Sequence, residues 1–185
     1  MLSAYMIQPA GVMRRHIDRI PDTGGVYAFL LDDPDALTPA LDRARLKLDS
    51  LRLGRRAILY LGASGGSLRR RVKAHLSNDT GRSTFRMSLG AVLAEQLDLR
   101  VVPNPHVSYF WFEPNGELRL SAWIAANVSV AVRASADAMV EEKSLIAGEK
   151  PLLNITGRRR QPSAETLMVL RREMRGLPLD PKTLN

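Results

Sequence analysis

Several side chains sit where their own element makes them costly. On a helix of 3.6 residues per turn, Leu68, Val72 and Leu76 fall within about 80° of one another. Arg71 and His75 lie one turn apart on the rim of that stripe, while Arg69, Arg70 and Lys73 face elsewhere. A second predicted helix, Asp137–Ala147, has Ala138, Met139, Leu145 and Ile146 as its apolar face, with Glu142 at the centre and Glu141 pointing away. A carboxylate in such a place must be paired, protonated or bound to a metal. The plain alternative is a salt bridge, for example to Arg71. For Arg71 and His75 the plain alternatives are a snorkelling arginine and a satisfied core histidine. Tyr27 and Tyr60, two of four tyrosines, occupy the segments Gly25-Val26-Tyr27 and Tyr60-Leu61-Gly62. A strand tyrosine is usually core with its hydroxyl satisfied, and a glycine at a strand end marks close backbone approach or a bulge.

The elements that must position these groups follow from hydrophobic periodicity and turn residues. Strands are predicted at Val26–Leu31, Ala57–Gly62 and Val128–Val132, with Val107–Glu113 a strand or edge hairpin ended by Pro114-Asn115-Gly116. Helices are predicted over Gly11–Ile20, after Pro39, over Leu68–Leu76 with Ser67 as N-cap, from Ser83 or Thr84 to Leu97, and over Leu118–Ala126. The helix at Asp137 is capped by that residue and ended by Gly148 and Pro151. A basic linker, Gly157–Pro162, leads to an amphipathic helix, Ala164–Arg175.

Composition narrows the chemistry. The chain has 185 residues, 45% of them hydrophobic, which suffices for one domain with a full core. There is no cysteine, which removes disulfides, iron–sulfur clusters, Cys-ligated zinc and thiol nucleophiles, and fits a reducing compartment. The three histidines, His16, His75 and His106, are too far apart in sequence to suggest a zinc site. No apolar run approaches the roughly 18 residues of a spanning helix, and Met1–Arg15 lacks the charged start and apolar core of a secretory signal. A cytoplasmic protein with no membrane partner is expected.

The formal net charge is +8. Residues 66–86 carry six basic groups (Arg69, Arg70, Arg71, Lys73, Arg82 and Arg86) against one acidic, and residues 154–185 carry seven against three. These two stretches supply the whole excess. Such clustering is expected of a face that binds phosphates. The alternative is arginine coating solvated helices.

Taken together, these residues resemble the GIY-YIG nuclease superfamily. The two name-giving tripeptides are matched by Gly25-Val26-Tyr27 and Tyr60-Leu61-Gly62. The L-x-x-R-x-x-x-H helix that follows is matched by Leu68, Arg71 and His75, and the later glutamate with its apolar neighbours by Glu142, Leu145 and Ile146. A P-L-x-N-like segment is matched by Pro151-Leu152-Leu153-Asn154. Departures exist. Residues 32–56 separate two strands that the family joins by a short hairpin, residues 104–127 form a second insert, and Ala63-Ser64 stand where many members have a lysine.

The resemblance implies an α+β fold with a small central three-stranded antiparallel or mixed sheet flanked by helices, here with inserted helix and hairpin elements. Residues 1–157 would form the nuclease domain, and 158–185 a basic linker with its amphipathic helix. The implied activity is divalent-metal-dependent endonuclease hydrolysis of DNA, of restriction or structure-specific repair type. Glu142 would hold Mg²⁺ or Mn²⁺ and Arg71 would clamp the scissile phosphate. The base is left open between Tyr27, Tyr60 and His75, and Asn154 would order the glutamate helix or its approach. Arg69, Arg70, Lys73, Arg82, Arg86, Arg158, Arg159 and Arg160 would contact backbone phosphates, and the inserts are candidates for target recognition. The partner would be double-stranded or branched DNA, with RNA open, and the protein a monomer or homodimer. Two other classes compete: a nucleic-acid-binding module that has lost cleavage, and a basic adaptor that binds another protein through Ala164–Arg175.

Overall fold

A computed structural model describes residues 5–48, 52–53, 56–102 and 109–176. In chain order its elements are β1 (Met6–Pro9), α1 (Ala10–Arg15), β2 (Gly25–Leu31), α2 (Thr38–Ala44), β3 (Arg52–Leu53), β4 (Arg56–Ser64), α3 (Leu68–Leu76), α4 (Thr84–Leu93), β5 (Val101–Val102), β6 (Trp111–Phe112), α5 (Pro114–Asn127), β7 (Val128–Ala134), α6 (Ala138–Glu149) and α7 (Pro162–Met174). Three single-turn 3₁₀ segments punctuate them.

The α+β architecture agrees with the expectation. The three predicted strands are β2, β4 and β7, adjacent and antiparallel. The sheet is wider than three strands: its order among the described residues is β1-β7-β2-β4-β3. β1 pairs Met6 to Pro9 with Val132 to Ser129, and β3 adds two residues beside Ala57 and Arg56. No helix among the described residues is long and apolar enough to cross a membrane.

The two faces of the sheet are buried differently. One face carries Tyr27, Phe29, Leu31, Leu59, Val128, Val130 and Val132 into the main core, against α1, α3, α4, α5 and α7. Ala28, Leu30, Ile58, Leu61 and Ala131 form the other face, covered by Leu145 and Ile146 of α6. That cover is incomplete and leaves a mostly apolar cavity of about 230 Å³ between α6 and the sheet. α2, from the first insert, contributes Ala40 and Leu41 to the main core and packs on α4. α7 lies along α4 and buries Ala164 and Leu167. Its amphipathic face is therefore spent on its own fold, which removes the observation that favoured an adaptor helix.

Register decides which face each tyrosine joins. Leu30 pairs with Ile58, but Phe29 pairs with Tyr60, so Leu59 is an extra residue in β4. This β-bulge reverses the alternation beyond it. Without the bulge Tyr60 would lie opposite Ala28, on the α6 face. With it, Tyr60 joins Tyr27 and Phe29. The bulge is held from outside the ladder. Leu59 O accepts from Leu153 N at 2.8 Å, and the Asn154 carboxamide accepts from Leu61 N at 2.9 Å and donates to Leu61 O at 2.8 Å.

Four details differ from the sequence reading. The first helix stops at Arg15, because His16 leaves helical geometry before a 3₁₀ turn at Ile17–Arg19. Pro114-Asn115-Gly116 is the first turn of α5 rather than the end of a strand, with Pro114 at the position where its fixed φ favours helix entry. Of the strand expected at Val107–Glu113, positions 107 and 108 lie outside the described residues and only Trp111–Phe112 pairs, with β5. Gly148 lies inside α6, which ends instead on a left-handed Lys150 at φ 49°.

Glycine at position 62 has a steric cause. Tyr27 and Gly62 are cross-strand partners, and a Cβ on Gly62 would overlap the Tyr27 phenol. Gly62→Ala is expected to destabilise the fold by about 1–3 kcal/mol through overpacking. That lowers Tm by roughly 2–10 °C in a domain of this size. Thermal melts of the two proteins check this, and an unchanged Tm would contradict the packing described.

Candidate active site

The site is assembled by four elements: the ends of β2 and β4, the helix α3, and α6 on the opposite side. Ser67 caps α3, its Oγ accepting from Arg70 N at 3.0 Å, as its sequence position predicts. α3 turns Leu68, Val72 and Leu76 inward. Arg71 and His75, on the rim of that stripe, also lean onto the sheet, with His75 fully buried and Arg71 half-buried.

Tyr27 lies at the centre. Its hydroxyl is 2.8 Å from His75 Nε2 and accepts from Arg71 Nε at 3.3 Å. On the far side of the imidazole, Nδ1 is 2.7 Å from Ser83 Oγ, the residue that also caps α4. The Tyr27 and Tyr60 rings stack at 6.4 Å, and the Tyr60 hydroxyl pairs with Thr84 Oγ1 at 2.8 Å. Arg71 is within electrostatic reach of both phenols and of Glu142. Five of the six expected residues (Tyr27, Tyr60, Arg71, His75 and Glu142) are thus brought together. Asn154 is buried away from solvent with its amide engaged by Leu61, so it positions β4 rather than the glutamate helix. Ser83 and Thr84 are the partners that sequence reasoning saw only as helix caps.

Burial sets the protonation states. His75 is lowered to about 3, chiefly by desolvation and then by the Arg71 and Arg86 charges, so its imidazole is neutral at physiological pH. Burial also pushes the Tyr27 phenol well above its ordinary value, with Tyr60 adding to the rise and Arg71 opposing it. Glu142 is raised by its own desolvation, against a hydrogen bond from the Ala63 backbone and the Arg71 and Lys143 charges.

The two glutamates of α6 divide differently from the sequence expectation. Glu141 does not point away: it ion-pairs with Arg133, accepts from Tyr5 Oη at 3.5 Å, and lines the cavity under the sheet. Met139, expected on the apolar face, is 52% exposed. The inward edge of α6 carries Ala138, Glu141, Glu142, Leu145, Ile146 and Glu149, and Met139 lies outside it. The salt-bridge alternative therefore describes Glu141. None of the ion pairs among the described residues involves Glu142.

Two of the expected phosphate contacts are corrected. Arg86 is 1% exposed and pairs with Glu117 Oε2 at 2.6 Å, with further bonds to Ser121 Oγ, Thr80 Oγ1 and Glu117 O. Removing one member of such a pair leaves an uncompensated charge and typically costs about 3–5 kcal/mol. Arg158 is also buried and bonds to Pro151 O, Gln161 and Ser163. Neither side chain reaches solvent to meet a strand. Arg69 is partly committed to Ile20 O and Asp22, and the exposed Arg82 to Asp79. Arg70, Lys73, Arg159 and Arg160 are exposed.

No group of three or more His, Cys, Asp or Glu side chains that could hold a metal exists among the described residues. That is incompatible with a closed all-protein cage. It is compatible with an ion that keeps most of its waters and takes one carboxylate, as Mg²⁺ prefers. Glu142, half-buried and outside any ion pair, fits that donor chemistry.

The buried histidine gives a pH signature. His75 titrates near 6.5 in the unfolded chain and at about 3 in the fold. Between those values only the unfolded state binds the proton, so stability falls as pH drops from 6.5 toward 3. His75→Gln is expected to remove that share of the slope. Tm measured from pH 7 to pH 3.5 in both proteins checks it, and parallel curves would contradict a neutral buried imidazole.

Neither the curated proteins nor the solved structures compared contain a significant match to this chain. A family model does match: the GIY-YIG catalytic domain, over residues 25–173. That span begins at the glycine of the first tripeptide and includes every residue of the cluster around Tyr27. The chain belongs to the GIY-YIG nuclease superfamily.

Proposed function

We propose that the protein is a divalent-metal-dependent endonuclease that hydrolyses DNA phosphodiester bonds in the groove between α3 and the N-terminal half of α6. The observation that carries this reading is Glu142, a half-buried carboxylate in none of the ion pairs among the described residues and within electrostatic reach of Arg71 and Tyr27. A binding module without cleavage has no use for a half-buried carboxylate kept out of an ion pair, because desolvation makes it costly.

Arg71 clamps the scissile phosphate. Its planar fork meets two phosphate oxygens at once, which a lysine cannot do. Tyr27 orients the attacking water through its phenol oxygen, with its own proton donated to His75 Nε2. This requires the tautomer in which Nδ1–H donates to Ser83 Oγ, and that geometry is satisfied at 2.7 Å. The water oxygen bonds to phosphorus as the bond to the leaving oxygen breaks, the water's proton is lost to solvent, and the leaving oxygen takes one up from solvent. His75 does not meet the water directly, since both ring nitrogens are engaged. Glu142 would hold Mg²⁺ or Mn²⁺, which supplies charge neutralisation at the phosphate and leaving oxygen. Tyr60, tied to Thr84, packs against Tyr27 and fixes the wall of the groove. Arg70, Lys73, Arg159 and Arg160 add affinity without sequence information.

Incubation of supercoiled plasmid, linear duplex and branched DNA with Mg²⁺ or Mn²⁺ tests the reading. Nicking or cleavage by the wild type is expected, falling by about 10²-fold or more in Glu142→Gln, Arg71→Ala and Tyr27→Phe. Because Glu142 is raised, the acid loss of activity should set in above the ordinary glutamate value of 4.5. It should shift down as the metal concentration rises, since metal and proton compete for one carboxylate. Wild-type protein that leaves all three substrates intact with either metal contradicts the enzyme reading.

A further inference from the structure

Beside Tyr60 lies a recess that the hydrolysis does not use. It is bounded by α4, the 153–156 segment and α7, and is lined by Tyr60, Thr84, Ser88, Thr156 and Arg171 among others. Its volume is about 60 Å³, room for a few waters. The oxygens of one phosphate match that space, and a nucleobase exceeds it. No acidic side chain lines it. Ser88 is 1% exposed and its Oγ has no hydrogen-bond partner among the described residues. A buried hydroxyl left in that state is costly, and a ligand oxygen would satisfy it. Arg171 is half-buried, and the acceptor seen for it is the Met87 thioether at 3.3 Å, a weak one. It forms no ion pair with a carboxylate among the described residues. A guanidinium withdrawn from water with, among the described residues, only sulfur to bond is poised for an anion.

We propose that this recess is a second phosphate subsite, in which Arg171 and Ser88 hold a backbone phosphate of the bound strand beside the one gripped by Arg71. The proposal rests on the nuclease reading and deepens it: α7 becomes part of the substrate cleft rather than only a brace for α4. Tyr60 is shared by both places, and its ring is 6.4 Å from that of Tyr27.

The test is equilibrium binding of a 20-bp duplex to the full chain silenced by Glu142→Gln, across 50–300 mM salt. Adding Arg171→Gln should weaken binding about tenfold at low salt and reduce the slope of log K against log salt by about 0.9, the value of one phosphate contact. Arg171→Lys should keep most of the slope. Ser88→Ala should leave Tm unchanged or raised, because it deletes an unsatisfied buried hydroxyl, yet weaken binding by about twofold to fivefold. Inorganic phosphate at matched ionic strength separates the sources of the anion. Competition that vanishes in Arg171→Gln while duplex binding stays unchanged assigns the recess to free phosphate and overturns the proposal. Equal slopes and affinities with and without Arg171 also overturn it, leaving the nuclease reading intact. A silenced parent that binds no duplex at all overturns both.

Discussion

The buried contact between Tyr27 and His75 is the constraint on which the rest of the site depends. A phenol and an imidazole, both removed from water, must satisfy each other or pay the full cost of desolvation. That need fixes α3 against β2, since His75 reaches Tyr27 only if α3 crosses the sheet at this point. It fixes Gly62, because the phenol lies where a side chain would be. It also places Arg71, one turn earlier on the same helix, at the same hydroxyl. The mouth of the groove thereby acquires a cation held in place by buried groups behind it.

The opposite wall solves a different problem. α6 must cover the second face of the sheet while presenting a carboxylate to the groove. It does so with two adjacent glutamates of unlike fate. Glu141 is neutralised by Arg133 under the sheet, and Glu142 is left to the groove with the Ala63 amide and the Arg71 and Lys143 charges opposing its desolvation. A third acidic group, Glu117, serves the scaffold by compensating the buried Arg86. The Arg86–Glu117 and Arg133–Glu141 pairs each cancel within the formal +8 of the chain.

Much of this was legible in the sequence, for physical reasons. The strands β2, β4 and β7 are apolar runs between turn residues, and a run of that kind has few other options. Arg71 and His75 were recognisable because 3.6-residue periodicity sets their direction relative to Leu68, Val72 and Leu76. What escaped was whatever depends on a distant partner. Nothing near Arg86 in sequence announces Glu117, thirty-one positions away. Helical phase alone could not say which of Glu141 and Glu142 would find a cation, because the cation, Arg133, comes from β7. The bulge at Leu59, which brings Tyr60 to the face of Tyr27, is held by Leu153 and Asn154 from beyond α6. Pro114-Asn115-Gly116 misled because the same residues that end strands also begin helices.

The central claim is that Glu142, Arg71 and Tyr27 face one phosphate across a single groove. Anomalous diffraction from crystals grown with Mn²⁺ and a short duplex tests it most directly. The account predicts a manganese peak on the Glu142 carboxylate, with a strand phosphate between it and the Arg71 guanidinium. A duplex bound elsewhere on the surface, or a manganese site that does not include Glu142, would contradict it.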